Sequence, residues 1–306
     1  MQQEDILRAV IPILILLIIL EGAYYGVKRR TFPYKEALTS LGMFLIYQLV
    51  SLKLTKPWTQ SISEWIYQYR LTTFDMTQWW HWIALYLGVE FAYYWMHRCS
   101  HEIRWLWASH SVHHSPHHIT LSGAYRLSIT SFISGMFIFY LGLQILGFSP
   151  KAGAIMLALN LLYQFWLHTE LIPRLSFLEG IFNTPSNHRV HHSIEPEYID
   201  KNYGGTLVIF DRIFGTYAAE RSEGVKKYGV IGKNESFNPI VLFFREWVAM
   251  ARDVGGTSSL KDKWKFCFGS PGWTPSKKEP VQSIASLSEN DIHSFREFDQ
   301  KAVGSK

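Results

Sequence analysis

Residues 7–26, LRAVIPILILLIILEGAYYG, make an apolar run of the length that crosses a bilayer, about 20 residues. A segment surrounded by lipid must satisfy its backbone groups internally, which leaves an α-helix as the solution here. Composition agrees, because charged residues are 18% of the chain against roughly 25% in soluble domains. Glu4 and Asp5 precede the run, Arg8 is the early positive charge, and no small-residue cleavage site follows. That pattern reads as an uncleaved anchor rather than a signal peptide.

The next stretches extend the pattern. Lys28, Arg29, Arg30 and Lys35 follow the first run, and the positive-inside rule puts them on the cytoplasmic side. Residues 37–54 read as a second span, closing near Lys53 and Lys56. Residues 57–77 read as a connecting segment with a Trp-rich amphipathic piece suited to the interface. Residues 79–98 read as a third span that delivers His97 at its cytoplasmic end. Residues 127–148 and 152–168 read as a hairpin of two spans turned at Pro150 and ending at His168, with a re-entrant hairpin as the alternative. Past residue 170 the chain is more mixed, with turns at Pro173, Pro185, Pro196 and Gly204–Gly205. Residues 237–250 fit an amphipathic surface helix, and from about 252 the text is polar, as in a soluble tail. The expectation is an all-α integral membrane protein of about four to five transmembrane helices, with a cytosolic helical cap holding a His-rich dimetal site. Its parts are an anchor with its connecting segment (1–78), a catalytic region (79–220) and a cytosolic tail (221–306).

Histidine is distributed unevenly over this frame. Seven of the 13 histidines fall between Glu90 and His118, and His188, His191 and His192 follow far downstream. His97 and His101 are four apart, so both rings lie on one helix face. The HSVHH of 110–114 sets His110, His113 and His114 within one turn, and the HRVHH of 188–192 repeats that spacing. Eight histidines exceed the needs of one four-coordinate zinc and suit two ions. Imidazole accepts zinc, copper, iron and nickel alike, so spacing leaves the metal open. Asn160, Gln164 and His168 share a helix face, which makes His168 a further candidate ligand and the two amides candidate supports. Glu90 lies on the His97 face, placed either to accept an imidazole N–H or to be buried protonated or paired with Arg. Glu102 abuts His101 and is a candidate acid–base or supporting group, against the alternative of a helix-surface charge. His117 and His118 follow a proline and favour a supporting or surface role. His81 and His293 stand alone and read as non-ligands. Trp79, Trp80, Trp105 and Trp107 read first as an interface belt.

Several function classes are disfavoured. The net charge of +5 is not gathered into a basic stripe, so anionic lipid is a better partner than nucleic acid. With two cysteines, Cys99 and Cys267, no disulfide framework is expected. No P-loop and no dinucleotide GxGxxG is present, and the HxxxH pattern lacks the general-base Glu of HExxH, which weighs against a zinc hydrolase. A non-enzymatic metal carrier would line a path across the membrane, whereas these ligands gather on one side.

HRCSH at 97–101, HSVHH at 110–114, NTPSNHRVHH at 183–192, DKNYGG at 200–205 and FDRIFGTY at 210–217 resemble the fatty acid hydroxylase/sterol desaturase superfamily. LLYQFWLHTE at 161–170 and the HRVHH-to-FGTY segment are similar to its alkylglycerol monooxygenase branch. The resemblance covers about residues 80–220. It implies a non-haem diiron centre, O2 activation and attack on an unactivated C–H bond of a lipid. It implies His97, His101, His110, His113, His114, His188, His191 and His192 as ligands to two iron ions, with His168 as a ligand in some members. It also implies an external reductant: tetrahydrobiopterin in the alkylglycerol branch, cytochrome b5 or ferredoxin-type partners elsewhere. The expected setting is a membrane with the site on its cytoplasmic side, in a bacterial inner membrane or the endoplasmic reticulum.

Overall fold

The computed structural model describes residues 3–28 and 31–275, so Arg29, Arg30, His293 and the tail beyond 275 lie outside the described residues. Among the described residues the regular structure is helical, with two isolated bridges, Phe182 to Leu207 and Ser193 to Tyr228. Helix α1 spans Gln3–Val27 and α2 spans Tyr34–Val50. A wide π-type turn, Ser51–Thr55, runs straight on into α3, Lys56–Tyr67. The second span and the connecting segment expected from the sequence are therefore one rod of 34 residues, Tyr34–Tyr67. A proline ring clashes with the carbonyl four residues back, and the wide turn falls directly before Pro57, where it relieves that clash.

Among the described residues two segments are long and apolar enough to cross a membrane, Val10–Val27 and Tyr34–Tyr67. Only 22% of each apolar window is buried in the protein, which distinguishes them from the core helix of a soluble fold. Helix α4, Trp79–Glu102, has 24 residues and is about 36 Å long. It buries Leu85, Val89, Ala92, Tyr93, His97 and Ser100 and leaves Ile83, Leu87 and Phe91 exposed. A short helix α5, Arg104–His110, follows at once.

The run 127–148 is not a single span. It breaks into α6 (Ser131–Ser134), a 3-10 turn (Met136–Tyr140) and α7 (Leu141–Leu146). Gly135 and Gly147 take positive φ of 81° and 120°, left-handed conformations that end helices. Helix α8, Pro150–Phe165, starts on a Ser149 cap with Pro150 in its first turn. Its 16 residues reach about 24 Å, short of the roughly 30 Å hydrocarbon core. Next come α9 (Pro185–His192), α10 (Ile209–Ile213), α11 (Pro239–Gly255) and α12 (Leu260–Phe268). Helix α11 is two-faced as expected, burying Leu242 and Phe243 against Met43 and Val112 while Ile240, Val241 and Val248 face out. The polar text after 252 is not all tail: α12 buries Phe266, and the Arg104 N–H donates to the Gly269 carbonyl at 2.9 Å.

The bundle has two unlike ends. At the distal end Leu85, Val89, Leu143, Phe148, Ala152 and Met156 form an apolar core, and Phe74 stacks on Phe148. The other end carries the histidines and is held by two buried carboxylates from the N-terminal helices. Glu21 of α1 accepts the Leu121 N–H at 2.8 Å and the Thr169 hydroxyl at 2.7 Å. Glu36 of α2 accepts the His117 and His118 N–H groups at 3.0 and 3.3 Å and contacts the His118 ring at 3.2 Å.

Candidate metal centre

Nine imidazoles meet at this end in two groups. His97, His101, His110, His114 and His191 form one; His113, His168, His188 and His192 form the other. In each group the ligand atoms lie within 4.8 Å of one another. Helix α4 supplies His97 and His101 from its last turns, and α5 ends on His110. The turn after α5 supplies His113 and His114, and His168 stands just past α8. The fully buried α9 supplies His188, His191 and His192, so it serves both groups. Thr184 caps α9, with Pro185 in its first turn.

Ring contacts run in two rows. In one, Nε2–Nε2 distances are 3.0 Å (His97–His110), 3.2 Å (His110–His114) and 3.0 Å (His114–His191). In the other they are 3.3 Å (His113–His168), 2.9 Å (His168–His188) and 3.1 Å (His188–His192). Backbone carbonyls only accept, so three rings are fixed as Nδ1–H donors. His97 donates to the Tyr203 carbonyl at 2.8 Å, His191 to Lys201 at 3.0 Å and His168 to Gln164 at 3.0 Å. In a neutral ring this leaves Nε2 as a bare lone pair. With one proton per neutral ring, at most two of the three contacts in either row can be hydrogen bonds. The His101 Nε2 is buried with no hydrogen-bond partner at all.

This arrangement fits metal ions better than protons. Imidazole nitrogens held at about 2.0–2.1 Å from one ion lie roughly 2.9–3.4 Å apart around its coordination shell. Electrostatics point the same way. Burial first, then the neighbouring imidazoles, hold His110, His114, His188, His191 and His192 well below the usual histidine range, and burial with His168 does so for His113. Burial lowers His168 to about 4. Neutral rings are the form that binds metal.

The remaining sequence candidates fall elsewhere. Glu90 reaches no imidazole; it accepts from Asn160 at 2.5 Å, from the Thr206 and Leu207 N–H groups at 3.0 Å each, and from the Thr206 hydroxyl at 2.7 Å. Asn160 and Gln164 bond each other at 2.6 Å, and Gln164 accepts from Tyr93 at 2.8 Å. Neither amide side chain orients a ring; the Gln164 backbone carbonyl does. Glu102 is on the α4 surface in an exposed i,i+4 pair with Arg98 at 2.8 Å. His117 and His118 hold the turn to Glu36 and join neither group. His81 contacts the Asp75 carbonyl at 2.7 Å. Trp79 and Trp80 are exposed, whereas Trp107 lies tilted against His101 and His114, with ring centroids at 5.2 and 5.5 Å.

Sequence reasoning overlooked Glu21, Glu36, Arg189, Tyr203 and Asp211. A lone acid inside an apolar run was the available signal for Glu21; Glu36, beside Lys35 at the edge of the second run, offered none. Arg189, between two histidines of α9, forms a buried double contact with Glu220 at 2.8 and 2.6 Å and donates to the Thr169 and Ile172 carbonyls.

Residues 82–216 enclose all nine rings and match the fatty acid hydroxylase family. That stretch of the chain is a fatty acid hydroxylase domain. It is 37% identical to human alkylglycerol monooxygenase over 278 residues, covering 89% of this chain and 61% of that protein. It is 45% identical to zebrafish alkylglycerol monooxygenase over 202 residues, covering 65% and 44% respectively. It is 33% identical to an ornithine lipid hydroxylase of Rhizobium tropici over 151 residues, covering 47% and 44%. The chain thus spans less than two thirds of the length of these relatives. No solved structure matches it.

Proposed function

We propose that this chain is a membrane-bound oxygenase that uses O2 and an external reductant to oxidise a lipid at a C–H bond. Its ligands are His97, His101, His110, His114 and His191 for one iron ion, and His113, His168, His188 and His192 for the other. The observation that carries this reading is the pair of imidazole rows, whose lone pairs converge at coordination spacing. Two iron ions there would supply the O2 activation that attack on an unactivated C–H bond requires.

The protein's part is to position and to exclude. The backbone carbonyls of Lys201, Tyr203 and Gln164 orient three rings, and the Arg189–Glu220 pair fixes the helix common to both groups. Burial keeps bulk water from the centre. Glu102 adjoins His101 at the outer edge, where an acid–base role would operate from the surface. The membrane reading takes α1, the α2–α3 rod and α4 as crossing, with the α6–α8 region re-entrant. The histidine end then faces the cytoplasm, where Lys28 and Lys35 lie. Lipid reaches such a site from the bilayer and electrons reach it from the cytosol. An ether lipid is the first substrate class to try, by likeness to the alkylglycerol monooxygenases, with tetrahydrobiopterin as first donor and cytochrome b5 or ferredoxin-type donors next.

The test combines iron analysis of protein in lipid nanodiscs with lipid profiling of a host with and without the gene, using His113→Ala as control. The expected result is a pair of irons per chain and an O2-dependent product that vanishes in the variant. Iron-replete protein holding a single zinc and no iron, or a product that persists in His113→Ala, overturns the proposal.

A further inference from the structure

We propose that residues 200–206 are a positioning strap for one of the two ions, acting through backbone carbonyls, and that Asp211 and Asn202 are the side chains that set it. The inference rests on the metal reading above. Two carbonyls two residues apart, of Lys201 and Tyr203, receive the Nδ1–H groups of His191 and His97. Both rings belong to the five-imidazole group. The four-imidazole group receives nothing from this segment; its backbone contacts come from elsewhere, from Gln164 to His168 and from Arg126 to His113.

The strap's shape is imposed from outside. Asp200 and Asn202 take positive φ of 58° and 57°, conformations that non-glycine residues adopt at a cost, and such strain collects at functional sites. Four side chains hold it there. The Asp211 carboxylate accepts the Tyr203 and Gly204 N–H groups at 2.7 and 2.8 Å. Glu90 accepts two more, from Thr206 and Leu207 beyond Gly205. The Asn202 amide donates to the Asn187 and Ala218 carbonyls at 3.0 and 2.7 Å, and Asn183 donates to Gly204 at 2.7 Å. A Cβ at Gly204 would stand 2.1 Å from the Leu207 carbonyl oxygen, and one at Gly205 would stand 2.6 Å from the Asn160 amide. The strap therefore passes closer to the scaffold than any side-chain-bearing residue permits.

A fixed carbonyl does two things to a ligand ring. It selects the tautomer whose Nε2 faces the ion, and it locks the ring's rotation. Asp211→Asn turns one acceptor oxygen into an N–H donor aimed at an N–H. Asn202→Gly tolerates the positive φ but removes the amide that anchors it. Each variant loosens His97 and His191 while leaving all nine imidazoles in place.

The experiment loads wild-type protein and both variants with iron-57 in nanodiscs and reads iron content and Mössbauer spectra. Thermal unfolding of the metal-free forms reports folding. The expected result is weaker retention of one ion by roughly 10–100-fold, with one quadrupole doublet altered and the other unchanged. Equal loss from both doublets, or spectra identical to wild type in a folded variant, overturns the strap. If Asp211→Asn does not fold, Asn202→Gly decides alone. Wild-type protein without a pair of iron ions would refute the metal reading itself, a result separate from the behaviour of the variants.

Discussion

The two histidine groups draw on the same two sequence motifs, HSVHH and HRVHH, and differ in construction. One has five rings, two of them from α4, and is braced by the 200–206 strap. The other has four, three of them on α9 or just past α8, and takes its backbone contacts from outside the strap, at the end of α8 and at Arg126. One group has a fifth imidazole and the other does not. Dense clusters of equal spacing need not make equal sites; what differs lies in the backbone around them.

Four measurements break or sharpen that contrast, and the largest effect comes from ligand removal. His188→Ala leaves three rings in its group and His101→Ala leaves four in the other. Product formation should fall by more than about 100-fold in His188→Ala, beyond what loss of an outer-shell support costs, and by less in His101→Ala. Equal iron loss in both would erase the distinction.

The second acts on both groups at once, through α9. Arg189→Met leaves Glu220 buried and unpaired, at a cost of about 3–5 kcal/mol in unfolding free energy. Most of that should return in the Arg189→Met/Glu220→Met double variant. If it does not, the pair is not what fixes α9.

The third is a pH effect on the metal-free protein. The buried rings resist protonation that the unfolded chain accepts, so the unfolded state binds more protons below the ordinary histidine value of about 6.5. Stability should therefore be fullest above that value and fall as the pH drops towards the His168 value of about 4. Bound metal should flatten the curve, and a metal-free melt indifferent to pH across that window would contradict the burial of neutral rings.

The smallest effect is expected at Glu102. Its pair with Arg98 is solvent-exposed, so Glu102→Gln should cost under about 1 kcal/mol of stability. Activity in that variant is the informative reading: a large drop with unchanged iron would support an acid–base role at the surface edge, and unchanged turnover would remove it.

The convergence of the histidines was legible because side-chain identity and helical spacing carry the signal. His97 and His101 sit at the end of α4 as their i,i+4 spacing requires, and His168 follows from the polar face of α8. The supports were not legible. Lys201 and Tyr203 act through carbonyls, which every residue has, and Glu90 meets the Thr206 and Leu207 backbone more than a hundred positions away. The run 127–148 misled for a related reason. Apolar composition reports an apolar environment, and it does so whether or not glycines at positive φ interrupt the helix.

Glu21 and Glu36 have a practical corollary. The family match begins at residue 82, yet both acids precede it and hold N–H groups at positions 117, 118 and 121. A fragment trimmed to the matched region would lose these acceptors, leaving three backbone donors stranded in the loop that follows His113 and His114. The two N-terminal helices thus carry part of the scaffold of the histidine end, and a shortened version of this chain would need replacements for both acids.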